Sequence, residues 1–195
     1  MGTVMSLLKY LVLFIFMFVI SGCVSIIDAT TDEPIKPDPN ERSFGGYIDD
    51  KNLKTVVAVN IKKASAALDE AHINVHVFNA VVLLTGEVQS QTQRDLAGKT
   101  ARDVSRVRQV YNELLVQPTS KFMDRTVDNV MQTKIKAKLM LDKDIDSGKV
   151  TVIVENDVAY LMGLLTRVQT DKITDVVRQQ PGIKKVVRAI EYIEE

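Results

Sequence analysis

The sequence predicts an α+β protein: two tandem αββαβ units, each a three-stranded sheet packed on two helices, behind a signal segment and a flexible tether. Three observations predict this. The first is an internal repeat, in which Ile73–Gly86 aligns with Val150–Gly163 at a shift of 163 − 86 = 77. Val75/Val152, Val77/Val154, Asn79/Asn156, Val81/Val158, Leu84/Leu161 and Gly86/Gly163 are identities. Upstream, Ile61-Lys62 matches Ile135-Lys136 at a shift of 74, and downstream Val107, Val110 and Leu114 match Ile183, Val186 and Ile190 at 76. The changes of shift are assigned to turns such as Asp144 to Gly148, where insertions are tolerated. The second observation is that apolar periodicity switches between about 3.6 and 2 in the same order within each copy. The third is an apolar stretch at the start of the chain that resembles neither copy.

That stretch runs unbroken from Leu11 to Ile20, with Lys9 before it and Ser21, Gly22 and Cys23 after it. A cation, an apolar core and a small-residue exit make a secretory signal over 1–22, one too short for a comfortable bilayer span of about 20 residues. Met5 is an alternative start. Ile20-Ser21-Gly22-Cys23 resembles the lipobox of bacterial lipoproteins, in which the cysteine thiol is joined to diacylglycerol and the peptide is cut before it. Small residues fit the peptidase, and a thiolate is the strongest nucleophile among side chains near neutral pH. Cys23 is therefore the expected lipidation site; at about 0.8 kcal/mol per buried methylene, several acyl chains anchor firmly where one does not.

From 23 to 48 the chain changes character. Pro34, Pro37 and Pro39 stand among Asp32, Glu33, Asp38, Glu41 and Arg42, with Gly45 and Gly46 following. This reads as an acidic tether. The first unit is placed at 49–117 and the second at 124–195, joined by Gln117 to Met123.

Each unit opens with a helix. Leu53, Val57, Ile61, Ala64 and Leu68 recur at three- and four-residue steps in the first, and Val127, Met131, Ile135 and Leu139 in the second. A hairpin follows, with Val75 and Val77 alternating inward and a turn at Asn79, or at Asn156-Asp157, residues that tolerate the positive φ of a tight turn. A second helix is expected over 91–103 and over 170–179; Gln180-Pro181-Gly182 ends the latter. A last strand closes each unit, over 109–116 and 184–193. In the second unit Val158, Tyr160 and Met162 alternate with Ala159, Leu161 and Leu165, so both sheet faces are apolar. The two units are expected to pack together there, or to use that face for a partner.

Composition removes several function classes. Lys plus Arg equals Asp plus Glu at 25 each, so no net field favours nucleic acid. With Cys23 the sole cysteine, no disulfide scaffold or thiol metal site forms. His72 and His76 are the only histidines. On a strand both fall on the face away from the helices, roughly 13 Å apart, too far to share one ion. Carboxylates are dispersed among lysines, and no glycine-rich phosphate loop occurs. The sequence therefore predicts no enzyme, no metal and no cofactor.

Two features remain as candidates. Gly86 and Gly163 are read as structural, at a point where the hairpin meets the second helix and no Cβ fits. The first helix of the second unit carries a second, looser apolar strip, Val130, Ala137, Met140 and Leu141, with Thr133, Lys134 and Lys136 beside it and Lys138 nearby. Asp128 is the only acid from Val127 to Met140. The residues alone leave two readings open: a surface suited to a lipid headgroup region, or a strip packed against the first unit.

The hairpin leading to Gly86 or Gly163, the second helix and the Val-x-x-Val pattern of the last strand (Val107/Val110, Ile183/Val186) resemble the BON domain. A lipobox, short tether and two such units in tandem is similar to the dual-BON outer-membrane lipoproteins of Gram-negative bacteria. The resemblance implies periplasmic exposure from the outer membrane, binding to anionic phospholipid mainly through the second unit, and a role in envelope integrity. It also leaves room for an adaptor role toward outer-membrane protein assembly machinery. Val24, after Cys23, is not the aspartate that retains lipoproteins in the inner membrane in the best-known sorting system, which points to the outer one.

Overall fold

The computed structural model describes residues 42–118 and 122–194; the signal, Cys23 and most of the tether lie outside them. The first repeat runs α1 (Phe44–Ala64), α2 (Ala66–Glu70), β1 (His72–Phe78), β2 (Val81–Val88), α3 (Gln91–Arg102), β3 (Gln109–Asn112) and β4 (Leu115–Val116). The second runs α4 (Phe122–Leu141), a 3₁₀ turn at Ser147–Lys149, β5 (Val150–Glu155), β6 (Val158–Leu165), α5 (Arg167–Arg178) and β7 (Lys185–Tyr192). Each sheet has its hairpin antiparallel and its last strand parallel to the middle one: β1-β2-β3 with β4 continuing on β2, and β5-β6-β7.

Several boundaries differ from the sequence reading. Ser43 caps α1 through a hydrogen bond from Gly46 N–H (3.0 Å), so residues 44–48, assigned to the tether, are helical. The helix expected to run on to Leu68 breaks at Ser65, which is extended and caps α2 by accepting from Leu68 N–H (3.2 Å). The break redirects Leu68 into the core, where it is fully buried. The last strand of the first repeat is interrupted at Glu113-Leu114. Asn112 exchanges hydrogen bonds with the backbone and side chain of Arg94 on α3, and Leu114 turns into the core. Helix α5 starts at Arg167 rather than Thr170, because Thr166 and Gln169 form a capping box.

Both hairpins turn on two residues with positive φ: Asn79 and Ala80 (49° and 61°), and Asn156 and Asp157 (52° and 61°). Such a turn leaves both central N–H groups unpaired by the ladder. A buried aspartate on the first helix takes them. Asp50 accepts from Asn79 N–H (2.8 Å) and Ala80 N–H (2.9 Å), and Asp128 from Asn156 N–H (2.8 Å) and Asp157 N–H (3.4 Å).

This contact sets the true register of the repeat. Asp50 and Asp128 differ by 128 − 50 = 78, as do the core pairs Val57/Ile135 and Ile61/Leu139, while Leu68/Ile145 differ by 77. Pairing Ile61 with Ile135 at a shift of 74 is therefore wrong by one helical turn, and no insertion is needed at Asp144 to Gly148. Val127, expected on the core face of α4, is 54 % exposed. Asp128 takes the inward place because the turn needs its carboxylate.

Helices α1 to α3 cover one face of the first sheet, and α4 and α5 one face of the second. The other two faces meet. Phe78, Val81 and Leu83 pack with Ile153, Tyr160, Met162, Leu164 and Ala189, giving helix, sheet, sheet, helix layers. Full burial of side chains this size stabilises by about 1.5–3 kcal/mol each, and burial pushes the Tyr160 phenol up. Polar contacts frame this apolar centre. Glu155 lies 3.2 Å from His72 Nε2 and accepts from Asn74 Nδ2 (2.9 Å). Asn156 Nδ2 donates to Glu87 (2.7 Å) and Asn79 Nδ2 to Glu191 (2.9 Å). Arg108 pairs with both oxygens of Glu191 (2.6 and 3.1 Å), which holds that carboxyl below its ordinary range. Each turn asparagine thus reaches a glutamate of the other repeat.

The glycines are excluded from carrying a side chain by a neighbour other than the one expected. A Cβ on Gly86 would collide with the carbonyl of His72, and one on Gly163 with that of Lys149. The obstacle is the backbone entering the partner strand, not the second helix. Gly86 also has φ of 110°, whereas Gly163 is excluded by space alone.

Two expectations follow. Gly163→Val forces the β5 and β6 backbones apart and is expected to cost about 1–3 kcal/mol, lowering the thermal midpoint by roughly 3–10 °C for a domain this size; an unchanged midpoint contradicts the close approach. His76 lies in the layer between the sheets, where burial, with Lys54 and Lys136 adding repulsion, holds its pKa down to about 4. A lowered histidine pKa favours the neutral form on folding, so stability falls as pH drops from 6.5 toward 4. Between pH 6.5 and 5 the loss is expected to be about 1.5 kcal/mol. Urea unfolding at both pH values should show that loss shrink in His76→Gln; an equal loss in the variant removes His76 as its source.

Candidate functional site

Helix α4 faces two environments. Ile135 and Leu139 are fully buried, Asp128 holds the turn, and Gln132 Oε1 accepts from the outward N–H of Val154 on edge strand β5 (3.0 Å). The opposite side is open. Val130, Thr133, Lys134, Lys136 and Ala137 are exposed, with Met140 at 73 % and Leu141 at 83 %. The strip does not pack against the first repeat, since the contact between repeats runs through the sheets. Val127, missed because it continued the heptad-like core pattern, adds to it.

Lys134, Lys136 and Lys138 have no carboxylate within salt-bridge distance among the described residues. Thr133 uses its hydroxyl internally, donating to Asn129 O (2.9 Å). Between α4 and β5 lies an open depression of about 220 Å³, lined by Lys136, Leu139, Met140, Ser147, Val150 and Thr151. The sequence did not reveal it, because it depends on how the 3₁₀ turn seats beside the helix. Projecting apolar side chains edged by free ammonium groups can engage a surface that is apolar beneath and anionic above.

The other candidates are placed elsewhere. His72 and His76 sit on the sheet face turned from the helices, as their strand spacing required, but the second repeat covers that face. His72 is engaged by Glu155, and His76 lies 3.4 Å from Thr85 Oγ1. Among the described residues no three metal-ligating side chains cluster, and no helix is long and apolar enough to cross a membrane.

The model of the BON domain matches the chain twice, at residues 49–118 and 127–194. The chain is 30 % identical over 175 residues to a protein of Haemophilus influenzae named outer membrane lipoprotein DolP, covering 90 % of this chain and 91 % of that one. It is 32 % identical over 161 residues to the 21 kDa hemolysin of Actinobacillus pleuropneumoniae, covering 83 % and 81 %. With osmotically-inducible protein Y of Escherichia coli it shares 29 % identity over 167 residues, 80 % of each chain. The two matched segments coincide with the two layered repeats, and the chain belongs to the BON-domain family, carrying two BON domains in tandem.

Proposed function

We propose that the protein is a lipid-anchored outer-membrane protein facing the periplasm, which docks on anionic phospholipid through α4 of the second BON domain and supports envelope integrity. The observation that carries this reading is the exposed strip Val130, Ala137, Met140 and Leu141 edged by Lys134 and Lys136, which have no salt-bridge partner among the described residues. The similarity to an outer membrane lipoprotein supports the location, and the lipobox-like Ile20-Ser21-Gly22-Cys23 supports the anchor. Acyl groups on Cys23 hold the protein at the bilayer, and α4 orients it by laying its apolar side chains at the headgroup boundary. The lysines add attraction that salt screens. Nothing in this role requires a bond to be made or broken. Intact mass of membrane-extracted protein reads the lipid on Cys23 directly.

The test is flotation of unlipidated protein with anionic and with zwitterionic liposomes. The wild type is expected to float with the anionic vesicles, less so as salt rises. At about 1 kcal/mol per lysine near such a surface, Lys134→Glu with Lys136→Glu should weaken binding by at least about 30-fold. Both positions are exposed, so the fold should be unchanged by circular dichroism. A wild-type protein that ignores anionic liposomes even at low salt contradicts lipid docking and leaves α4 to an adaptor role toward envelope assembly machinery.

A further inference from the structure

The first turn of α1 carries a second exposed apolar cluster that no core among the described residues uses. Phe44 is 80 % exposed, and Tyr47 and Ile48 are exposed beside it at i+3 and i+4, on one side of the helix. The cluster is held firmly. Ser43 fixes the helix start. The Arg42 guanidinium lies 5.0 Å from the Tyr47 ring and 4.4 Å from that of Phe78, and pairs with Asp50 at 3.2 Å. Lys51 stands 4.7 Å over Tyr47. Of the nearby acids, Asp50 is buried on the hairpin turn and Asp49 is paired with Arg106 (2.7 Å).

We propose that Phe44, Tyr47 and Ile48 form a second membrane contact, inserting at the headgroup boundary of the anionic bilayer that holds the Cys23 lipid. This rests on the membrane-docking reading above and extends it to the first BON domain. Three arguments select a bilayer as the occupant. Only 42 − 23 = 19 residues separate Arg42 from Cys23, so the start of α1 cannot stand more than about 65 Å from an anchor there. An amphipathic ring beside an aliphatic and cationic groups suits the apolar-to-polar boundary of a membrane. Three side chains cannot supply the roughly 800 Å² per partner of a stable interface with a second copy.

The two contacts lie on neighbouring elements. Helix α1 packs on β1 and α4 on β5, and the edges of β1 and β5 meet where Glu155 lies 3.2 Å from His72 and accepts from Asn74. Tyr47, Lys51 and Lys54 follow one another along one side of α1. Two weak contacts on one body bind far more tightly than either.

The chain contains no tryptophan, so one introduced tryptophan reports its own surroundings without background. Phe44→Trp and Leu141→Trp are made separately in the full lipidated chain and reconstituted into vesicles of phosphatidylcholine, with or without phosphatidylglycerol. Brominated phospholipid is the quencher. Phe44→Trp is expected to shift to the blue and lose about half its emission or more in the vesicles with phosphatidylglycerol only. Ile48→Trp should behave alike, which guards against a local effect of one substitution. If both α1 reporters keep the emission of water-exposed tryptophan while Leu141→Trp is quenched, the second contact is overturned and docking through α4 stands. If all three remain unquenched, both readings fall. Quenching on α1 without quenching at Leu141 sustains the α1 contact and overturns the assignment to α4.

Discussion

The rest of the structure depends on one interaction made twice: a buried aspartate on the first helix of each BON domain accepting both N–H groups of the hairpin turn. Both turns hold two consecutive residues with positive φ, and in the first one of them is Ala80. L-residues other than glycine visit that region at a cost. Hydrogen bonds to a carboxylate, about 1.5–3 kcal/mol each, offset it. The dependence is mutual, because a carboxylate this buried is tolerated only when its oxygens are used. The same contact fixes helix against hairpin. It also aims the Asn79 and Asn156 side chains at Glu191 and Glu87 of the opposite domain. In the first domain Arg42 joins the arrangement through Asp50, so the point where the tether enters is tied to the same turn.

Face-to-face packing of the sheets then decides where function can reside. Both faces of each sheet are consumed, one by helices and one by the other domain. The histidines, Glu87, Glu155, Glu191, Phe78 and Tyr160 are spent at that contact. What remains for partners is the outer side of the helices, where α4 and the start of α1 keep large apolar side chains in the open. Among the described residues these places present exposed apolar side chains edged by cations, beside the open depression between α4 and β5.

Much of this was legible in the residues. Strict alternation around Val75 and Val152, the turn asparagines and the glycine at the end of each hairpin carried the repeat and its element order. Apolar residues on both sides of β6 announced a second packing partner. Other features were hidden for identifiable reasons. Asp50 lies among tether-like prolines, glycines and acids, and its role appears only when the turn 29 residues away is brought to it. Ile61-Lys62 and Ile135-Lys136 match as dipeptides, but a helix repeats its faces every turn, so the match slipped by four residues. Val127 fits the core period and loses the place to Asp128. Gly163 has an ordinary backbone, and its constraint comes from the Lys149 carbonyl on another strand. The face of α4 was visible as a pattern, yet only the packing of the sheets showed that the first domain does not cover it.

The most direct test of the central claim is a double-mutant cycle on Asp50 and Glu191, measured by urea unfolding. The two carboxylates do not bond to each other but share Asn79, one through its backbone N–H and the other through its side chain. If the aspartate aims the turn at the other domain, Asp50→Ala and Glu191→Ala should be coupled by about 0.5 kcal/mol or more, the double variant losing less than the sum. Additive losses, within about 0.3 kcal/mol, would mean that turn and interface are built independently and would contradict the account.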